Sequence, residues 1–265
     1  MTANLKPIQL YTLATPNGQK VSIALEEMGL PYEAHRIEIG EGDQFKPDFV
    51  AINPNSKIPA IVDPNGPIGG EDAGDTEPLS VMESGAILLH LAERSGKFLP
   101  TDPRKRAETI QWLFFQMAGV GPMFGQLGHF YKFARANCDH PYPVERYTKE
   151  VKRLLGVLEA RLEGRDYLVD EYTIADMATF PWVNCLKSFM TRPRMSGLMI
   201  SPMCRHGVHA VMPARQRSKA ARSAAGTRPH GPSRHTSSYL SEPPRARPVP
   251  RLKPSAALPF PYLAF

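Results

Sequence analysis

Residues 8–39, IQLYTLATPNGQKVSIALEEMGLPYEAHRIEI, decide the fold. IQLYTL at 8–13 reads as a short strand, which runs into TPNG at 15–18. In the QKVSIALEEMG that follows, Val21, Ala24, Leu25 and Met28 recur at helical spacing, and Gly29 stands where a helix closes on a left-handed residue. YEAHRIEI at 32–39 alternates enough for a second strand. Strand, helix and strand within so short a span predict a βαβ unit with a right-handed connection.

Further along, GEGDQ reads as a polar loop, FKPDFVAIN as a short helix and KIPAIVDPNG at 57–66 as a strand ending in a turn. The Gly- and acid-rich GPIGGEDAGDTEP predicts an exposed hairpin loop, and LSVM at 79–82 its return strand. ESGAILLHLAERSG at 83–96 predicts a helix with Ile87, Leu88 and Leu91 inward. After the Pro-punctuated FLPTDPRKRAE the strand signal disappears, and helical stretches follow at about 104–135, 144–162 and 173–189. The first has an apolar stripe of Ile110, Leu113, Phe114 and Met117; the second has Val151, Leu154, Leu155, Leu158 and Leu162. The third opens on Thr173-Ile174-Ala175-Asp176, a capping box in which Asp replaces the usual Glu or Gln. The expected organisation is an α/β domain over 1–98, an all-helical domain over 104–190, and a tail over 191–265.

Charge divides at the same place. The 265-residue chain has a net charge of +6, but 13 of its 32 Lys and Arg and only one of its 26 acids, Glu242, fall after residue 190. That tail carries +12, and the 19 bases and 25 acids left before it give a body of −6. Twelve of the 27 prolines also lie in the tail, where apolar periodicity fails, so a largely irregular, disordered extension is expected. The tail has no aromatic interleaving and no recognition motif, so no specific nucleic-acid partner is expected. Its Arg, Pro, Ala and Ser bias also fits an out-of-frame translation that leaves the helical domain incomplete and the product inactive. No stretch approaches the roughly 18 apolar residues of a membrane span. The N-terminus MTANLKPIQLY has no signal-peptide core, so a cytoplasmic, reducing setting is expected.

Chemistry is constrained first by what the α/β part lacks. Cys138, Cys185 and Cys204 are the only cysteines, so no residue before 138 offers a thiol for dithiol exchange. Cys185 is expected in an inert core and Cys138 in a loop. His35, His90, His129 and His140 show no metal-ligand spacing, and no metal is expected. His129, Phe130 and Tyr131 read either as a cleft wall or as ordinary packing. Thr15 and Asn17 sit between the first strand and its helix, where they can cap the helix or donate to a bound sulfur; both readings stay open. Lys57-Ile58-Pro59 precedes the third strand, and Glu83-Ser84 opens the helix after the fourth. All three segments lie at turns on an edge of one small sheet, where open α/β sheets bind ligands.

TPNGQKVSIALEE, GDQFKPDFVAINPNSKIPAIVD, PLSVMESGAILLHLAE, QWLFFQMAGVGPMFGQLGHF and YTIADMATFPWV together resemble the glutathione S-transferase superfamily, and within it the nu-class, disulfide-bond oxidoreductase and Ure2-like group. The match spans about 8–190. The resemblance implies a thioredoxin-like N-terminal domain followed by an all-helical domain, normally a homodimer, with glutathione as co-substrate in the cleft. By the same resemblance, Thr15 and Asn17 lie near the glutathione sulfur as the catalytic pair. Gln44, Lys57, Ile58, Pro59, Glu83, Ser84 and Arg146 bind the rest of the tripeptide, with a cis bond at Pro59. The implied reaction is glutathione-dependent reduction of a small disulfide, or transfer to an electrophile. A non-catalytic glutathione-binding or regulatory module is the alternative.

Overall fold

In the computed structural model the chain is described over residues 5–68, 77–134 and 136–190. It divides after residue 227 into two units, and these residues all belong to the first. The predicted irregular tail, 191–265, and much of the predicted hairpin loop lie outside the described residues, as does Cys204.

β1 (Ile8–Thr12) buries Ile8, Leu10 and Thr12 in alternation. α1 (Pro16–Met28) follows, and Gly29 closes it at φ 71°, a left-handed conformation that glycine adopts without a Cβ penalty. β2 (Tyr32–Arg36) runs parallel to β1, in register from Ile8 opposite Tyr32 to Thr12 opposite Arg36. It stops short of the predicted residue 39 because β1 ends at Thr12, whose carbonyl accepts a last hydrogen bond from Ile37 N–H at 3.0 Å. A short α2 (Pro47–Ile52) leads to β3 (Ala60–Asp63), β4 (Leu79–Met82) and α3 (Ser84–Ser95). The sheet order is β2-β1-β3-β4, with β3 antiparallel to both of its neighbours, which is the thioredoxin-like arrangement. Register places Tyr11 opposite Ala60 and Ala60 opposite Met82. The C-terminal ends of β1 and β4 and the N-terminal end of β3 therefore lie side by side.

The helical half departs from the predicted pattern in two ways. The stretch expected as one helix over 104–135 is α4 (Pro103–Phe115) and α5 (Gly121–Gly128), separated by a π-helical segment Gln116–Val120; a second π segment, His129–Phe133, follows α5. Pro122 offers no N–H to continue an α ladder, and Gly121 N–H reaches back five residues to Gln116. The predicted stripe also fails at Phe114, which is 60% exposed. The buried face is Thr109, Leu113, Gln116 and Val120, so polar residues occupy positions that an apolar pattern assigns elsewhere.

α6 (Tyr142–Leu162) buries Val151, Leu154, Leu155 and Leu158 as expected, against α5 and the π segments. α7 (Ile174–Met190) packs on α1, α3 and α4, and its Ile174, Met177 and Ala178 share a core with Ile8, Leu25, Ile61 and Leu88 of the sheet half. Its head is the predicted capping box. Asp176 Oδ2 accepts from Thr173 N–H at 2.9 Å, while Oδ1 accepts from Leu168 N–H at 2.9 Å. Burial pushes that carboxyl up to about 6, against the pull of these hydrogen bonds. Cys185 on α7 is half-buried and so does not sit in the core as predicted; the inward positions on either side of it are Val183 and Leu186.

Candidate active site

Thr15 is the N-cap of α1. Its hydroxyl oxygen accepts from Gly18 N–H at 3.2 Å, so the capping reading holds, and the O–H hydrogen remains to donate. Gly18 is required here because a Cβ would collide with the Leu13 carbonyl and the Thr12 hydroxyl. Asn17, half-exposed one residue into the helix, accepts through Oδ1 from the indole N–H of Trp182 on α7 at 2.9 Å.

The second segment converges from the head of β3. Asn53, buried, donates from Nδ2 to the Lys57 carbonyl at 2.6 Å and accepts through Oδ1 from Asn55 N–H at 2.9 Å, which sets the loop ahead of the strand. Lys57 is exposed, and the Ile58–Pro59 bond is cis, in keeping with the resemblance. Gln44, in the turn after β2, donates to the Ile39 carbonyl at 3.3 Å, while its Oε1 is buried without a partner.

Glu83 joins β4 to α3 at φ 68° and ψ 115°, a region that L-residues rarely occupy and that costs roughly 1–3 kcal/mol. No side chain caps α3, so its first N–H groups are open to an anion. Glu83 accepts from Asn55 Nδ2 at 3.5 Å. Ser84 opens the helix and is 4% exposed.

Beneath Ser84 lies a group that the sequence reading passed over. Lys20 is 1% exposed, and its Nζ donates to Gln116 Oε1 at 2.7 Å, Ser84 Oγ at 3.3 Å and Met117 Sδ at 3.4 Å. Desolvation pulls its pKa down to about 7, and the charge of Glu83 opposes that only in part. Lys20, Ala24 and Met28 are spaced by four, so the buried stripe of α1 extends back one turn to the lysine; that spacing was the available signal. Gln116 and Trp182 gave no comparable signal, since a glutamine in a π segment and a tryptophan in an apolar helix read as packing.

The remaining predicted residues lie elsewhere. Arg146 is exposed on α6 and lines a cavity of about 730 Å³ with Met123, Tyr142, Tyr147, Lys149, Glu150 and Arg153. Phe130 stacks on Tyr147 with centroids 5.7 Å apart, while His129 is exposed at the edge of that pair. At the far end of β3, buried Asp63 binds His90 Nε2 at 2.7 Å and Arg94 Nε at 2.6 Å. Among the described residues no group of three or more His, Cys, Asp or Glu could hold a metal.

A thioredoxin-like sheet whose turns converge at one end, followed by a helical half whose α7 packs on α1 and α3, defines a two-part class of an α/β domain joined to an all-helical one. The sequence profiles described as glutathione S-transferase, N-terminal domain and C-terminal domain match residues 14–94 and 122–194. The chain belongs to the glutathione S-transferase family. It is 51% identical over 178 residues to the Escherichia coli disulfide-bond oxidoreductase YfcG, an alignment that covers 67% of this chain and 79% of that protein. It is 48% identical over 183 residues to the disulfide-bond oxidoreductase YghU of the same organism, covering 66% of this chain but only 60% of that one. A glutathione transferase of Burkholderia graminis, crystallised with two glutathione molecules per subunit, superposes with a TM-score of 0.74 at 49% identity, over 81% of this chain and 87% of that chain. One from Pseudomonas putida, with one glutathione disulfide per subunit, gives 0.73 at 46% identity, over 81% and 90%.

Proposed function

We propose that the protein is a glutathione-dependent disulfide-bond oxidoreductase that acts with the thiol of bound glutathione. The observation that carries this reading is the convergence of the Thr15–Asn17, Ile58–Pro59 and Glu83–Ser84 turns at one sheet end, in a half of the chain that contains no cysteine. The Thr15 hydroxyl and the Asn17 amide donate to the glutathione sulfur and favour its thiolate over the thiol, whose free pKa is about 8.5. The backbone of Ile58, beside Pro59, pairs with the cysteinyl part. The γ-glutamyl end lies against Glu83, Ser84 and the open N–H groups of α3, and Gln44 and Lys57 close the tripeptide from the loops, whereas Arg146, on α6 in its own cavity, is left out of this arrangement.

The thiolate attacks one sulfur of a disulfide, and its electron pair forms the new S–S bond as the old one breaks. The leaving thiolate takes a proton. A second glutathione then attacks the mixed disulfide, giving glutathione disulfide and the second free thiol. Two glutathiones are oxidised for each disulfide reduced, so no thiol of the protein is consumed. A homodimer is proposed from the family resemblance alone. Among the described residues no helix is long and apolar enough to cross a membrane, and a cytoplasmic, reducing setting that supplies glutathione fits the reaction.

Steady-state reduction of hydroxyethyl disulfide tests the proposal. Thr15→Ala and Asn17→Ala are each expected to lower kcat/KM about 10- to 100-fold, the loss of one charge-assisted hydrogen bond of roughly 1.5–3 kcal/mol. A chain with Cys138, Cys185 and Cys204 all changed to Ser is expected to keep its turnover. Full activity in both donor variants, or none in the cysteine-free chain, overturns the reading.

A further inference from the structure

The contact between Asn17 and Trp182 spans 165 residues of sequence and joins the first turn of α1 to α7. An indole N–H can only donate, so the amide of Asn17 must turn its oxygen toward α7. Its two N–H hydrogens then point away, with no partner among the described residues. The indole is itself held in a fixed place. A Cβ on Gly121 would stand 3.3 Å from Trp182 Nε1, and one on Gly125 would stand 3.2 Å from Cη2 of the same ring. Two glycines four residues apart on α5 thus form a shelf for the ring edge.

We propose that Trp182 is a positioning residue: by occupying the oxygen of Asn17 it makes the amide face the ligand as a pure donor, so that the site selects a thiolate over a thiol. This rests on the placement of the glutathione sulfur at Asn17 put forward above. Lys20 on α1 bonds Ser84, Gln116 and Met117, and Glu83 at the head of α3 accepts from Asn55, so neither of these charged groups is bonded to Asn17 or Trp182. On α5 the positions set against the indole are Gly121 and Gly125, neither of which titrates.

The test uses the full chain as wild type, Trp182→Phe and Asn17→Asp. Calorimetry gives the Kd for glutathione, and the ultraviolet absorbance of the thiolate gives the pKa of the bound thiol. Trp182→Phe frees the amide to rotate and is expected to raise that pKa by about one unit toward the free value near 8.5. Its kcat/KM should fall about tenfold at neutral pH and recover above the free thiol's pKa, a recovery that a purely structural lesion would not give. Asn17→Asp keeps an acceptor for the indole, so it folds even if Trp182→Phe does not, and it replaces the ligand-facing donor with an anion. It is expected to raise the thiol pKa by more than one unit. A lowered thiol pKa in the wild type that survives both substitutions overturns this inference alone. A wild type that does not bind glutathione, or binds it without lowering the thiol pKa, overturns the placement of the sulfur and this inference with it.

Discussion

Lys20 shows how a fully buried residue beneath the candidate site can be passed over. Thr15, Ser84 and Pro59 were legible because turn and cap residues are read from identity and position. A lysine is read by default as surface, and only the four-residue spacing with Ala24 and Met28 placed it inside. Its burial has a measurable signature. The native state holds Lys20 near 7, whereas an unfolded chain holds a lysine near 10.4, so between those values the unfolded state binds the extra proton and stability rises with pH. The cost of charging Lys20 is therefore fully present below pH 7 and fades toward pH 10. Lys20→Met abolishes this dependence. The stability of the variant relative to the wild type is expected to decline by about 1.4 kcal/mol per pH unit between 7 and 10. Urea titrations at pH 7 and pH 9 measure it, and parallel pH profiles would refute it.

At the scale of elements, among the described residues, apolar spacing and turn signals located the strands and the main helical stretches but merged α4 with α5 and blurred the interiors. A period near 3.6 cannot separate an α turn from a π turn, so the segments at Gln116–Val120 and His129–Phe133 were invisible and Phe114 was assigned to the wrong face. The head of α7 was legible because capping is local: Thr173 and Asp176 are three residues apart. What the capping box could not reveal is that Asp176 also satisfies Leu168 N–H, eight residues back. Asp176→Ala leaves two buried N–H groups without acceptors, each worth about 1–3 kcal/mol, and is expected to destabilise the protein by roughly 3 kcal/mol or more. Chemical denaturation that shifts by less than about 1 kcal/mol would show that water replaces the carboxylate.

Across the molecule, the sheet and helical halves share one buried cluster: Ile174, Met177 and Ala178 of α7 pack with Leu25, Leu88 and Leu91. Ile174 N–H also donates to the Phe98 carbonyl at 3.0 Å. The halves are therefore expected to unfold in one transition, with far-UV circular dichroism and hydrogen exchange in β1 and α7 giving the same midpoint. Separate midpoints would mean that each half is stable alone. The convergence of the turns was legible because strand order and turn residues carry it, whereas the links between the halves were not, since Asn17 and Trp182 come together only when the chain is folded. Those links bear on how related chains are judged. A survey that scores only the positions a ligand touches would rate two proteins as equivalent although one has Phe in place of Trp182 or Met in place of Lys20. The supports beneath the site belong in that comparison, because under the proposed placement of the sulfur a chain that keeps Asn17 but lacks Trp182 is expected to bind a less acidic thiol, and one that lacks Lys20 is expected to lose the pH dependence of stability.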